Sequence, residues 1–192
     1  MSVLVERLVR AREAYPNLED GHAYDEVLFE VQVAAERSGS IGKVDIGALM
    51  LWKRLNLSTR WTRELNNMPD RDVREITSTA IQLARDSATG IPDAAQAART
   101  VLQALPGCRN GQAIASAILT AGAPERMAVY DKRGVQGLKE LGRPSTKGRY
   151  STYMTIVCSL LDAIHTEHDT GWFPRDIDKA LYMIGGRPGA TT

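Results

Sequence analysis

The spacing of apolar residues is the feature that most constrains the fold of this 192-residue chain. It follows helical periodicity nearly throughout, as where Leu4, Leu8 and Ala11 recur on one helical face. Runs that alternate apolar and polar residues, as half-buried strands do, are almost absent. Glycine, proline and serine fall between the periodic segments, and no long linker divides them. The sequence therefore predicts an all-α protein of about ten helices, in one domain or two closely packed lobes.

Capping residues and helix breakers set the predicted bounds. Ser58 or Thr59 is suited to cap a helix that stops before Pro69, and Pro92 suits a first helical turn. The other helices are predicted over residues 3–15, 24–37, 45–55, 70–88, 93–105, 113–121, 132–141, 149–165 and 174–184. In the helix that begins at residue 70, the expected buried stripe is Val73, Ile76, Ala80, Leu83 and Ala84.

Composition excludes several classes of protein. Two cysteines, Cys108 and Cys158, are too few for a disulfide framework, so we expect a reduced, cytoplasmic setting. No apolar run approaches the length needed to span a membrane. The charged residues among the first fifteen predict a helix and not a signal peptide. We expect a monomer that does not associate with membranes.

Charge is distributed unevenly, although the net charge is only +1. Residues 51–74 carry six Lys/Arg against three Asp/Glu, and residues 130–150 carry six against two. A local positive patch can bind a phosphate backbone even on a nearly neutral molecule. A solvated loop and helix face would give the same pattern, so charge alone leaves both interpretations open.

The segment 105–131 carries the most specific chemical signal. A glycine-bearing hairpin with Gly107 and Gly111 precedes a helix of small residues, and a short loop then ends in Asp131. Glycines let the backbone approach a ligand closely, and the free amides at a helix N-terminus favour an anion. A phosphate site beside one carboxylate is therefore predicted. An ordinary tight connection between helices is the alternative.

This order of motifs resembles the helix-hairpin-helix DNA glycosylases of the endonuclease III-like superfamily. Leu105-Pro106-Gly107 is similar to the start of that family's hairpin, and Val129-Tyr130-Asp131 is similar to its catalytic loop. With Gly111 as the second glycine, the hairpin is two residues longer than usual, and Asp131 comes into register. The resemblance covers roughly residues 71–185, which leaves 1–70 as divergent N-terminal helices and 186–192 as a tail of one domain.

The resemblance implies a DNA glycosylase in which Asp131 is catalytic and double-stranded DNA is the partner. The position of the family's strand-cleaving lysine holds Ala113, or Gly111 without the shift, so the implied activity is monofunctional. The family's iron–sulfur cysteines are absent from the sequence, and no cofactor is expected. One candidate substrate is a hypermodified phage base such as glucosylated hydroxymethylcytosine, which would make the role antiviral defence instead of DNA repair. Asp131 is also suited to cap the following helix, and the two roles are compatible.

Candidate DNA-binding residues come from the hairpin and from the basic segment, residues 130–150. Those expected at the DNA backbone are Gly107, Arg109, Asn110, Gly111 and Gln112 of the hairpin, and Lys132, Arg133, Lys147 and Arg149 of the basic segment. Those expected in the base pocket are Tyr24, Trp52, Tyr150 and Tyr153, although aromatics at helical spacing are more often core residues. No metal site is predicted, because Asp162, His165 and His168 lie only roughly on one face and lack a fourth ligand.

Two other classes of protein remain open at this point. A non-catalytic helix-hairpin-helix module would bind duplex DNA with a strong salt dependence and would tolerate the loss of Asp131. An unrelated helical interaction protein would use the turn between Gly107 and Gly111 only as a connection.

Overall fold

A computed structural model describes residues 1–168 and 170–186, apart from the side chain of Asp20. Ten α-helices and two short 3₁₀ turns account for the regular structure of these residues, in which no strand occurs. The fold is all-α, as predicted. The helices are α1 Val3–Glu13, α2 Glu26–Ser38, α3 Lys43–Trp52, α4 Arg60–Asn67, α5 Asp70–Arg85, α6 Ile91–Leu102, α7 Ala113–Gly122, α8 Lys132–Glu140, α9 Tyr150–Glu167 and α10 Pro174–Ile184. The 3₁₀ turns Leu18–Asp20 and Ala23–Asp25 precede α2.

Side-chain caps explain several of the helix starts. Thr59 accepts a hydrogen bond from the amide of Thr62 at the start of α4, and Ser2 accepts one from Val5 in α1. Pro92 lies in the first turn of α6 and Pro174 in that of α10, where a missing N–H costs nothing. The predicted bounds of α10 are confirmed, whereas α5 ends at Arg85 and not near residue 88.

Helix α7 forms the centre of the core. Each residue from Ile114 to Gly122 is buried, and α2, α3, α5 and α6 pack around it. At Gly122 a β-carbon would lie 2.3 Å from Cγ1 of Ile81, so α5 and α7 approach as closely as glycine allows. The buried stripe of α5 is Val73, Thr77, Ala80, Ile81 and Ala84. Ile76 and Leu83, which were expected in it, are only half-buried.

Helix α10, the last helix described, packs against α1, the first helix of the chain. It also packs against α8 and α9, and the guanidinium of Arg12 donates to Asp176 at 2.7 Å. Contact with α8 is tightest at Gly137, where a β-carbon would lie 2.2 Å from the carbonyl oxygen of Leu181. The helices before residue 70 therefore belong to the same packed body as those after it. Of the predicted tail, residues 187–192 lie outside the described residues.

No helix within residues 1–168 and 170–186 combines the length and the apolar character that crossing a membrane requires.

Candidate functional site

The hairpin, residues 103–112, joins α6 to α7 and holds one glycine in a conformation that other residues avoid. Gly107 has φ 85°, and a β-carbon there would lie 2.4 Å from Cε3 of Trp61. The indole of Trp61 therefore packs directly on the hairpin backbone. Gly111 has no positive φ, and the nearest atom to a β-carbon there would be the Gly107 oxygen at 3.7 Å. Only Gly107 is required as glycine by the backbone.

The side chains of Arg99 and Gln112 hold the hairpin in place through hydrogen bonds. Arg99 of α6 donates to Oε1 of Gln112 at 2.7 Å and to the carbonyl of Gly111 at 3.0 Å. Gln112 in turn donates to the carbonyl of Gly148 at 3.0 Å, which ties the hairpin to the loop before α9. The side-chain amide of Gln112 therefore makes hydrogen bonds within the protein through both its oxygen and its nitrogen. Arg109 and Asn110, expected beside it at DNA, are exposed.

Asp131 makes two polar contacts, one with each carboxylate oxygen. Oδ1 accepts from the amide of Gly134 at 2.8 Å, so Asp131 caps α8 as the sequence predicted. Oδ2 lies 3.1 Å from Nζ of Lys53, the residue that ends α3. The side chain of Lys53 is 10% exposed and that of Asp131 is 22% exposed, so the pair is largely sheltered from solvent. Both carboxylate oxygens of Asp131 are therefore engaged, one by the helix cap and one by Lys53.

The loop that delivers Asp131 is fixed by three neighbours. The amide of Val129 donates to Asp178 of α10 at 2.5 Å, and the amide of Tyr130 donates to Oγ of Ser116 in α7 at 3.0 Å. The hydroxyl of Tyr130 shares a hydrogen bond of 2.9 Å with Thr146. The position of Asp131 is therefore set by α7 and α10 as well as by its own helix.

A buried charge cluster lies behind this loop and consists of Asp25, Arg175, Asp178 and Lys179. Arg175 binds Asp178 and also Asp25, with 3.0 Å to Oδ2 of Asp25. Burial raises the pKa of Asp178 to about 7, although Arg175 and the Val129 amide favour its ionised form. Burial also lowers the pKa of Lys179, and the nearby Arg175 adds to that effect. The cluster joins the turn before α2 to the loop before Asp131.

Beside Asp131 lies a cavity of about 10 Å³, which is room for about one water molecule. Its lining includes Tyr24, Trp52, Lys53 and Tyr182 together with Asp131 and Arg175. The structure thus brings two of the expected pocket residues, Tyr24 and Trp52, to Asp131. A larger cavity of about 780 Å³ lies on the other side of Asp25 and Arg175 and does not include Asp131 in its lining.

The other two expected pocket residues, Tyr150 and Tyr153, do not line this cavity. Both rings are buried on the inner face of α9, where they stack at a centroid distance of 6.5 Å. The hydroxyl of Tyr150 donates to the carbonyl of Ala128 at 2.7 Å. Both tyrosines thus support the loop before Asp131 from the core. No local pattern indicated Lys53 or Tyr182, which line the cavity.

The predicted cations around the site are exposed. Lys132 and Arg133 occupy the first turn of α8, immediately after Asp131, and the guanidinium of Arg133 lies 4.2 Å from the ring centroid of Tyr182. Lys147 has a left-handed backbone with φ 48°, in the loop that leads to Arg149. Arg149 lines the same surface cavity as Arg109, Asn110 and Gln112. The hairpin and the basic segment, residues 130–150, therefore meet at this surface cavity.

No group of three or more His, Cys, Asp or Glu side chains suited to a metal ion occurs within the described ranges. His165, which the sequence placed near Asp162 and His168, has Nε2 3.0 Å from the carbonyl oxygen of Trp172.

Comparison of the chain with models of known protein families, with curated proteins and with solved structures gives no match. The resemblance to helix-hairpin-helix glycosylases therefore rests on the sequence motifs quoted above.

Proposed function

We propose that the protein is a monofunctional DNA glycosylase that removes a damaged or modified base flipped out of duplex DNA. The observation that carries this proposal is the setting of Asp131. A partly sheltered carboxylate, 22% exposed, lies after a hairpin and a helix that resemble those that hold DNA in this family. Aromatic side chains and a lysine surround it.

The chemistry needs few groups. The bond between C1′ of the sugar and the base nitrogen breaks, and the base leaves with the electron pair and takes up a proton. A carboxylate beside the resulting cationic sugar lowers the barrier by electrostatic stabilisation. Water then adds to C1′ and gives up a proton, for which Asp131 is a suitable acceptor. The cap to Gly134 keeps the carboxylate oriented, and Lys53 balances its charge before DNA binds.

Base entry requires the cavity to open, because about 10 Å³ does not hold a nucleobase. Tyr24 and Tyr182 are half-buried, and their hydroxyls lie 3.4 Å apart at this cavity. We propose that these two side chains separate when a base enters and then contact its ring. A glucosylated base would demand a wider opening than a simple lesion. The proposal therefore covers a damaged or modified base in either DNA repair or defence.

Strand cleavage is not part of the proposal, because Ala113 and Gly111 cannot form a Schiff base. The amine of Lys53 lies 3.1 Å from Oδ2 of Asp131. The experiment must therefore distinguish hydrolysis from attack by this amine.

The test is base release from duplexes that carry a panel of lesions and from heavily modified phage DNA. Abasic sites are detected as strand breaks with and without alkali. Asn is also a good helix cap, so Asp131→Asn removes the charge and keeps the start of α8. We expect release to fall by about 100-fold or more. The exposed Asp93 of α6 supplies the matched control, because Asp93→Asn should leave release unchanged.

Each other outcome has a defined meaning. Equal release by wild type and Asp131→Asn would refute the assigned role of the carboxylate. Breaks without alkali that Lys53→Gln abolishes would show a lyase and contradict the monofunctional assignment. Salt-sensitive duplex binding without base release from any substrate would favour the non-catalytic DNA-binding module.

A further inference from the structure

Helix α3 carries apolar residues on two opposite faces, and one of these faces is exposed. Ile46, Leu49 and Met50 point into the core and are buried. On the other side of the helix, Val44 is 83% exposed and Leu51 is 67% exposed. These two residues are two helical turns apart and therefore share one face. A helix that is apolar on both sides is normally covered on both, so the outer face of α3 is suited to contact a partner.

This outer face borders a groove of about 420 Å³ between α3 and α2. We call it the α2–α3 groove. Its lining is of two kinds, apolar and acidic, and no basic residue within the described ranges takes part. The apolar lining residues are Val27, Val31, Val44 and Ala48, and the acidic ones are Glu26, Glu30 and Asp45. None of them lines the cavity beside Asp131, so the groove is a separate surface.

Two of the carboxylates in the groove lack a partner. Glu26 and Glu30 are exposed and lie one turn apart on α2, and neither forms an ion pair in the part of the chain that the structure describes. Like charges at this spacing repel each other, and a cation placed between them would relieve that repulsion. Asp45 is engaged differently, because it accepts from the amide of Gly42 at 2.8 Å and lies 3.6 Å from Arg74. The free charge of the groove is therefore negative.

We propose that the α2–α3 groove binds a segment of another protein in which lysine or arginine flanks apolar side chains. The apolar side chains of the segment cover Val44 and Ala48, and its cations pair with the carboxylates of α2. Charge argues against other occupants. Nucleic acid would be repelled by the carboxylates, and a symmetric dimer through this groove would bring the same carboxylates of two copies together. The inference does not rest on base excision.

The probe is a library of random peptides of about 12 residues, displayed on bacteriophage and selected on the immobilised chain. Peptides that are enriched are then synthesised and titrated with the purified chain by fluorescence anisotropy. We expect the enriched sequences to combine lysine or arginine with apolar residues. Circular dichroism confirms that each variant of the chain is folded.

Val44→Ser tests the apolar part of the groove. Because the side chain is exposed, the fold should be unaffected, while peptide binding should weaken by about tenfold through the loss of apolar contact. Val3 supplies the matched control, since it is 82% exposed in the first turn of α1, as Val44 is in the first turn of α3. Val3→Ser should bind the peptide as wild type does.

The acidic part is tested by Glu26→Gln combined with Glu30→Gln. We expect this variant to bind the peptide several-fold more weakly at low salt and to lose most of the salt dependence of wild type. Asp93→Asn removes an exposed carboxylate from α6 and should change neither quantity.

The inference is overturned if no peptide is enriched, or if the enriched peptides bind Val44→Ser and the double glutamate variant as tightly as wild type. Enriched peptides with acidic residues in place of basic ones would overturn it as well. A dimer in light scattering that Val44→Ser dissociates would also do so, because a second copy of the chain would then be the occupant.

Discussion

Replacement of Gly137 by alanine tests how closely α8 must lie against α10. The new β-carbon would lie 2.2 Å from the Leu181 carbonyl oxygen and 2.9 Å from its carbon. Ordinary contacts begin near 3.4 Å, so the helices must separate by roughly 1 Å. Alanine gains about 1 kcal/mol of helix propensity, whereas forced overpacking costs about 1–3 kcal/mol or more. Because the obstacle is backbone and cannot rotate away, we expect an overpacking cost of about 3 kcal/mol and, after the gain in helix propensity, a net loss of about 2 kcal/mol.

Urea unfolding followed by circular dichroism measures this loss as a lower midpoint at an unchanged slope. Gly47 provides the matched control, since it lies within α3 and a β-carbon there has no neighbour within 4 Å. Gly47→Ala should therefore raise stability by about 0.5–1 kcal/mol. A Gly137→Ala protein as stable as wild type would refute the argument from close packing. If the proposed activity holds, separation of α8 should also move Asp131 and lower base release.

Three further perturbations have defined outcomes. The pKa of Asp178 is raised from its ordinary 3.8 to about 7, so the folded state binds a proton that the unfolded state releases between these values. Its contribution therefore makes stability rise as pH falls from about 7 to 4, by at most about 4 kcal/mol, and Asp178→Asn should remove this slope in thermal unfolding. Lys53→Met leaves the carboxylate of Asp131 without its cation and should cost about 1–2 kcal/mol in urea unfolding, since the pair is sheltered but not fully buried. Gly107→Ala places a side chain at φ 85° and against Trp61, and should cost about 2 kcal/mol or more by the same assay.

Controls for these variants come from the same regions of the chain. Gly111→Ala should be close to neutral, because its backbone is not left-handed and its nearest neighbour would lie at 3.7 Å. A stability profile of Asp178→Asn parallel to that of wild type between pH 4 and 7 would contradict the raised pKa. A Lys53→Met protein as stable as wild type would show that the ion pair with Asp131 adds nothing to the fold.

Local signals made most helices predictable. The Thr59 cap and the prolines at helix starts act within one turn, so the sequence alone carries their consequences. Asp131 was predictable as a cap for the same reason. The tail of residues 187–192 lies outside what the structure describes.

The surroundings of the carboxylate were not predictable in this way. Lys53 precedes Asp131 by 78 residues, and no local pattern indicates that α3 ends beside α8. Tyr150 and Tyr153 were chosen because they flank basic residues, yet α9 turns both rings inward. Tyr150 and Tyr153 share the apolar face of α9 with Met154, Val157 and Leu161, so helical periodicity pointed to the core and closeness in sequence to basic residues did not decide the face.

The links between the first helices and α10 have a consequence for how the protein can be divided. Asp25 and Arg12 reach Arg175 and Asp176 across about 150 residues of sequence, so removing the first 25 residues would leave Arg175 with one carboxylate instead of two. A fragment that lacks either the turn before α2 or helix α10 loses this pairing, and we expect the described helices to unfold in one cooperative transition. The wall facing Asp131 is also built partly by Tyr24, Trp52 and Lys53, all within the divergent N-terminal segment 1–70. If the proposed activity holds, exchange of this segment should change which base is released.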